Sequence, residues 1–444
     1  MRIPRRHSFR LDVPADVLFR RLPRGARFRF SPAGEADVFG AEPEATLRTD
    51  DGLALDELRR RLPRVPPIRS PRFGGGAVAV LPYEAGLALE ELPRRGPAGA
   101  WYGIYDTFAT AGPDGTVEVV SWGLGRDGTF DEREALRRAR DLEERLRDGE
   151  AESTWTPSDP ARLLSGSLDE AAHGEGVRRI LEHIRDGDIY QANLTARFDV
   201  RTDADPLALF ERLRRDNPAP FAAYVETDDG VVISSSPERM LRARGRELET
   251  RPIKGTAARS PDPAEDARRA RALADSAKDR AELVMITDLA RNDLGKVCVP
   301  GSIRVPKLRE VESFAHVHHL VSTVTGTLRP GADPLDALAA MFPFGSITGA
   351  PKRRAMQILS EREPVPRGVY TGAVGWIGFD RDLDLSVAIR TGLLRDNVFS
   401  FGSGGGIVAD SQPDAEWREL LVKARAFALA LDVDLEPAAT GRRS

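Results

Sequence analysis

Two pairs of carboxylates share one spacing. Asp279 and Glu282 lie three residues apart in "KDRAELVMITDLARNDLG", and Glu416 and Glu419 repeat the interval in "DAEWRELLVKA", with Lys423 four residues further on. On a helix that interval places two side chains on one face. Magnesium takes one or two such carboxylates and completes its shell with water and an anionic substrate group. Exposed helices carry the same spacing as ordinary charge partners, so spacing alone leaves both readings open. Two glycine-rich stretches offer complementary chemistry. "FGSGGGIVADS" places Gly404, Gly405 and Gly406 between a strand and the last helix, and "PFGSITGAPK" sets Ser346 just ahead of a helix start. Glycine lets backbone N–H groups close around a carboxylate or phosphate, and a helix N-terminus favours the same charge.

Single residues in strand-like settings extend the set. Arg390 interrupts the apolar run "LSVAIRTGLL", where a half-buried guanidinium calls for a carboxylate partner. His319 stands just before "LVSTV". Glu238 follows Pro237 at a strand end, where a carboxylic acid can move protons. An ion pair with Arg239 or Arg251 is its plainer alternative. Lys254 sits in "RPIKGTAAR" between Ile253 and the Gly255-Thr256 turn, and taken alone it reads as a solvated surface charge.

Elements must hold these residues in place. Val177, Ile180, Leu181 and Ile184 recur at helical spacing until Gly187 stops the pattern. "IYQANLTARF" alternates as a strand, with Tyr190, Ala192, Leu194, Ala196 and Phe198 on one face and Gln191, Asn193, Thr195 and Arg197 on the other. Further strand-like runs cover 221–227, 231–236 and 239–253. A helix is predicted over about 263–292, and strands near 302–328, 369–379 and 383–402. Asp333-Pro334 and Pro351 each open a helix. Trp417, Leu420, Leu421, Ala424, Phe427, Ala428 and Leu431 form the apolar stripe of a last one. Short turns between consecutive strands predict antiparallel pairing with helices outside, an α/β chain of α+β type. Residues 1–150 are rich in Arg and Pro and weakly patterned, with ordered segments at 73–86 and 101–110 and a charged helix at 132–150. A polar connector leads into a second region at 165–435.

The chain has 444 residues, 41% hydrophobic and 30% charged, with a net charge of −4. That balance suits a soluble globular protein and lacks the basic excess of a nucleic-acid binder. The single cysteine, Cys298, excludes an internal disulfide and a thiolate metal cluster, and reads as a small buried residue in a reducing compartment. No apolar run reaches the length of a signal peptide or a membrane span, so a cytoplasmic location is expected.

Taken together, "GDIYQANLTARF", "SSSPERML", "RPIKGTAAR", "ELVMITDLARNDLGKV", "VHHLVSTVTGTL", "GSITGAPKRRAMQIL", "YTGAVGWIGF", "LSVAIRT" and "GSGGGIVADSQPDAEWRELLVKA" resemble, in kind and order, the chorismate-utilising enzymes. That family includes anthranilate synthase component I, aminodeoxychorismate synthase component I, and the isochorismate and salicylate synthases. The resemblance implies two large, mainly antiparallel sheets facing each other with helices outside. It also implies that residues 1–150 form an N-terminal region of anthranilate synthase component I type, interleaved with the sheets of a chorismate-binding domain at 165–435.

The same resemblance implies roles. Glu282 and Glu419 would bind Mg²⁺, with Asp279 and Glu416 in support. Gly255, Thr256, Gly404, Gly405 and Gly406 would cradle substrate carboxylates. Arg390 and Tyr370 would hold the enolpyruvyl carboxylate of chorismate, His319 and Ser346 would lie beside the ring and its C4 hydroxyl, and Lys423 would lie near the ring carboxylate. Isochorismate and salicylate synthases carry a water-activating lysine where this chain has Gln191. Anthranilate synthases commonly carry alanine where this chain has Lys254, and a lysine there resembles aminodeoxychorismate synthase component I. On that pattern Lys254 would add to the ring, and Glu238 would carry the protons. No Cys-His-Glu set is evident, so ammonia is expected from a separate glutamine amidotransferase subunit.

Overall fold

The strand that alternation places near residue 190 is covered on both sides. In the computed structural model, which describes residues 4–67, 72–125 and 127–435, it runs Gln191–Arg201. It lies inside a sheet, paired with Val398–Ile407 along one edge and with Gly349–Ala350 and Arg162–Gly166 along the other. Ala192 and Leu194 pack with Val177 and Ile180 of the Glu170–Arg185 helix and with Ile358 of the Lys352–Arg362 helix. Gln191, Asn193 and Thr195, on the other face, are buried as well. Tyr190 departs from its expected place on the apolar face. It precedes the strand and is 73% exposed, held only through its backbone N–H to the Ala350 carbonyl.

Two antiparallel sheets, of 12 and 10 strands among the described residues, make up the framework. They face each other through one apolar cluster that draws Phe28, Val225 and Val232 from the first and Val78, Trp101 and Trp376 from the second. Helices cover the outer faces. Leu209, Phe210, Leu420 and Phe427 close the first sheet, and Ala290, Leu294, Leu335 and Leu338 close the second. This is the two-sheet architecture expected above.

The N-terminal residues enter both sheets. Arg5–Arg10, Phe28–Phe30, Asp37–Gly40, Thr107–Ala111 and Thr116–Ser121 join the first, while Ala45–Arg48, Gly76–Leu81 and Trp101–Tyr105 join the second. Their pattern is faint because arginine fills buried positions. Arg29 is fully buried, its guanidinium bonded to Asp37 and Glu211.

Three boundaries differ from the expected ones, each for a local reason. The run 239–253 is divided between Arg239–Arg244, Glu247–Arg251 and Ile253–Ala258, with Gly245 at φ +57° turning the first into the second. The helix expected over 263–292 is two, Pro263–Asp275 and Ala277–Gly295, because the Ser276 hydroxyl accepts from the Asp279 N–H (3.3 Å) and caps a new start. The run 383–402 divides into Leu383–Val387, Thr391–Arg395 and Val398–Ile407. The last of these carries Gly404 to Gly406 within the strand, not in a turn after it.

Candidate active site

Glu238 is among the most deeply placed of the candidate residues. It is 2% exposed, and neither Arg239 nor Arg251 pairs with it: Arg239 bonds Asp384 and Glu249, and Arg251 bonds Glu312. Its carboxylate instead accepts from the Ile253 N–H (3.1 Å) and from the Ser346 hydroxyl (3.2 Å). Two neutral donors do not offset burial, which pushes the group up to about 7. A carboxyl poised there can both give and take a proton at neutral pH.

Lys254 follows one residue after that backbone donor. Gly255, at φ +76°, makes a bulge in the pairing of Ile253–Ala258 with Val317–Thr327. A side chain there would meet the Asp279 carboxyl carbon at 2.9 Å, so glycine lets the strand lie against the Ala277–Gly295 helix. The Lys254 amine reaches to 3.9 Å from the Glu282 carboxylate. Burial lowers its pKa, with Lys423 acting in the same direction and Glu282 opposing. The surface-charge reading of this lysine does not hold.

Both residues line one cavity of about 640 Å³ walled by the two sheets and by the Ala277–Gly295 and Pro413–Leu431 helices. Gly255, Thr256, Asp279, Glu282, His319, Ser346, Tyr370, Arg390, Gly404, Gly406, Glu419 and Lys423 line it too. Residues from nine separate stretches of chain thus meet where spacing alone could only suggest pairs. Two candidates fall outside the lining. Glu416 is buried behind it, accepting from the Ser411 hydroxyl at 2.6 Å, and Gly405 faces Glu416 instead of the cavity. The alternation of a strand accounts for Gly405, since its neighbours on either side turn the other way.

The cationic residues differ in how they are satisfied. Lys423 bonds Glu419 (2.8 Å) and the Gly404 carbonyl (3.0 Å), which fixes it against the glycine strand. Arg390, at φ +47°, donates to no side chain or backbone carbonyl among the described residues, and burial lowers its pKa. Among the described residues no carboxylate pairs with it, although its position in the sequence led one to be expected. His319 is held through Nδ1 to the Thr256 hydroxyl (2.9 Å), and burial, with Arg390 adding to it, lowers it to about 4. It is a neutral imidazole at pH 7. Tyr370 is buried, lines the cavity and lays its ring against Gly402.

The acidic residues supply donors for a cation. Among the described residues no three His, Cys, Asp or Glu side chains stand close enough together to hold a metal by themselves. Glu282 and Glu419 line the same cavity with Asp279, and the charges of Asp279 and Glu419 both act to raise the pKa of Glu282. Burial holds Glu282 above the ordinary carboxylate range. At Glu419 burial acts the same way but Lys423 outweighs it, so its pKa is lowered. Two carboxylates with room for water and an anionic ligand fit magnesium, which seldom has an all-protein shell.

Several cavity features escaped the sequence reading. Asn193, Asn217 and Lys278 line it, and Lys278 lies 3.9 Å from Glu282. The Gln191 amide is fully buried with neither its nitrogen nor its oxygen hydrogen-bonded. A side chain on Gly406 would sit 2.9 Å from that amide nitrogen and 3.2 Å from the Lys254 amine, so the two flank one glycine. The polar face of the 190–198 alternation held Gln191 and Asn193 in view, but nothing in it marked that face as buried.

Comparison with known proteins is consistent across sequence and structure. The family of chorismate binding enzymes matches residues 24–429. Anthranilate synthase component 1 of Streptomyces coelicolor is 47% identical over 62% of this chain and 54% of its own length. Aminodeoxychorismate synthase component 1 of Escherichia coli is 45% identical over 61% of this chain and 60% of its own length. The matched region therefore spans between about half and three fifths of these relatives. Among solved structures, anthranilate synthase component I from Streptococcus pneumoniae superposes with a TM-score of 0.78 at 27% identity, covering 89% of this chain and 93% of that one. The menaquinone-specific isochorismate synthase of Escherichia coli shares the fold at 18% identity, with a TM-score of 0.75 and coverage of 97% and 96%.

Proposed function

Because the chain belongs to the family of chorismate binding enzymes, we propose that it aminates chorismate at C4, giving 4-amino-4-deoxychorismate. The observation that carries this reading is Lys254, an amine lowered in pKa inside the cavity and 3.9 Å from Glu282. Displacing a ring hydroxyl by ammonia at the same carbon is a hard single step. A neutral lysine divides it into two easier ones. The Lys254 amine adds at C2, both conjugated ring double bonds shift one place toward C4, and the C4 hydroxyl leaves as water with the proton of Glu238. Ammonia then adds at C4, both double bonds return, and Lys254 is expelled while Glu238 takes back a proton.

The other residues serve that sequence. Ser346 and the Ile253 N–H hold the Glu238 carboxyl toward the ring. Arg390, which has no acceptor among the described residues, and Tyr370 hold the enolpyruvyl carboxylate. His319, neutral and fixed by Thr256, borders the ring. Lys423, braced on the Gly404 carbonyl, lies toward the ring carboxylate with Gly404 and Gly406. Magnesium, held by Glu282 and Glu419 with Asp279 nearby, would neutralise the ring carboxylate and fix its orientation. Ammonia comes from a separate glutamine amidotransferase, as the "component 1" names of both relatives suggest.

A second reading is favoured by the 47% identical relative named anthranilate synthase component 1. It would place the new nitrogen at C2. Incubating the chain with chorismate, magnesium chloride and ammonium chloride, with products resolved by mass spectrometry, separates the two. Aminodeoxychorismate supports the proposal, and anthranilate overturns it. Loss of magnesium-dependent turnover in Glu282→Gln tests the metal assignment in the same assay.

A further inference from the structure

Ser346 sits in the short turn Gly345–Ile347 and sends its hydroxyl to Glu238 at 3.2 Å. The turn's own backbone bonds are long. The Ile347 N–H reaches the Phe344 carbonyl, and the Thr348 N–H the Gly345 carbonyl, each at 3.3 Å. Shorter bonds reach it from other segments. The Thr348 carbonyl accepts from the Asn193 N–H at 2.8 Å, and the Ile347 carbonyl accepts from the Arg367 guanidinium at 2.9 Å. The same guanidinium donates to the Asn193 carbonyl at 2.7 Å, so it clamps the turn to the strand Gln191–Arg201.

A guanidinium has five N–H donors in one planar fork, and Arg367 uses all of them. Its Nε bonds Glu363 (2.8 Å), one Nη bonds the Ile347 carbonyl and the Thr371 hydroxyl (3.3 Å), and the other bonds the Asn193 carbonyl and Glu363 (2.7 Å). Glu363 is fixed in turn, accepting from the Thr195 N–H (3.0 Å) and hydroxyl (2.9 Å). An ion pair with Glu363 would be complete without the two carbonyls. Their capture is what ties the pair to the site. Arg367 is buried and does not line the catalytic cavity, whereas Asn193, Ser346 and Ile347 do.

We propose that Arg367 is a positioning residue, which holds the Ser346 hydroxyl against the Glu238 carboxyl through the Ile347 and Asn193 carbonyls. Its effect on turnover rests on the amination reading above, in which Glu238 moves the protons. Burial raises Glu238, and the Ile253 N–H, the charge of Lys254 and the Ser346 hydroxyl each oppose that rise. A turn released from its clamp withdraws the hydroxyl, and the Glu238 pKa then climbs further.

Arg367→Lys keeps the charge that Glu363 needs but replaces the fork with a single point, which cannot reach both carbonyls. Ser346→Ala removes the hydroxyl itself. With chorismate, magnesium chloride and ammonium chloride, each variant is expected to lose kcat by roughly tenfold. The double variant should lose no more than the larger single loss, because both changes break one path. An infrared titration follows the protonated-carboxyl band that Glu238→Gln removes, and both single variants should move its midpoint to higher pH. That measurement needs no turnover. Circular-dichroism melts report folding. If Arg367→Lys does not fold, Arg367→Gln combined with Glu363→Gln removes both charges together and takes its place. Losses that multiply in the double variant overturn the proposal, and so does a Glu238 midpoint in Arg367→Lys equal to that of wild type. If wild-type protein forms no aminodeoxychorismate, the amination reading has failed, and the infrared midpoints alone decide for or against the clamp.

Discussion

Two regions of this molecule bury charge, and they finish the task differently. In the first sheet, Arg29 lies between Asp37 (2.5 and 2.9 Å) and Glu211, and Asp37 also accepts from Ser31 (2.6 Å). Beside it, Arg27 bonds Glu226 (2.6 and 2.8 Å), which also accepts from the Gly25 N–H (2.8 Å) and Tyr224 (3.0 Å). Every ion there has its partner within the protein. In the cavity, Arg390 has no acceptor, Glu238 has only neutral donors, and the Lys254 amine stands 3.9 Å from its nearest carboxylate. The first arrangement is complete without a ligand. The second leaves charges that a substrate with two carboxylates would complete, and unfinished electrostatics of this kind is where pKa values move.

Removing Lys254 gives the largest expected effect. Lys254→Ala should lose turnover with ammonium by more than the roughly 10⁴-fold ceiling of proton transfer alone. The melting temperature should hold, because no close ion pair is broken. Full activity in a clean preparation would sink the covalent step. Arg29→Ala should do the reverse. It leaves Asp37 and Glu211 without their cation, and breaking such a buried set costs about 3–5 kcal/mol of stability. Per folded molecule, kcat should be unchanged, measured by turnover against the fraction folded in denaturant titrations. A silent Arg29→Ala would mean the completed network carries no stability and the contrast is false.

Glu238 sharpens the contrast through pH. An exposed glutamate ionises near 4.5, and burial raises Glu238 to about 7 in the folded chain. The folded state then holds a proton that the unfolded state gives up. This contribution to stability is complete below about pH 4.5 and is lost as pH rises through about 7, a swing of about 3 kcal/mol. Glu238→Gln removes that loss, so the variant should gain on wild type in unfolding free energy between pH 5 and pH 8. Its turnover should fall about 10²–10⁴-fold. A wild-type stability no more pH-dependent than that of Glu238→Gln would show that the carboxyl is not held neutral by its surroundings.

The same contrast explains what could be read from the chain beforehand. Asp279, Glu282, Glu419 and Lys423 were visible because helical spacing is a short-range rule, and the structure does bring them to one cavity. The strand runs and the apolar stripe of Pro413–Leu431 were visible for the same reason. Glu416 shares the spacing but is turned behind the wall to Ser411, and no local pattern separates it from Glu419. The N-terminal strands were faint because Arg29 fills a core position, and Asp37 on the neighbouring strand with the distant Glu211 make that tolerable. Gly404 to Gly406 looked like a turn because glycine is common there. Pairing with Asn193 to Thr195 keeps them in a strand. The Arg367 network was invisible, since its partners Asn193, Ile347 and Glu363 span 170 positions of sequence between the first and last.

Arg390→Gln is the smallest expected effect and the most discriminating one. The residue resembles Arg29 in type and in lying within a sheet-lined interior, so a general rule about buried arginine predicts the same loss of stability for both. The structure gives Arg390 nothing to lose: among the described residues no side chain accepts from it, and burial already lowers its pKa. Removing the charge should leave the melting temperature level or raise it slightly. What disappears is a charged hydrogen bond to substrate, a contribution of about 1.5–3 kcal/mol, so KM for chorismate should rise roughly 10- to 100-fold. A bond present in both ground and transition states changes KM more than kcat, and kcat should move little. Should Arg390→Gln instead lower the melting temperature as Arg29→Ala does, with KM unmoved, Arg390 would be a structural ion. An unpaired buried charge would then no longer tell this cavity apart from the rest of the fold.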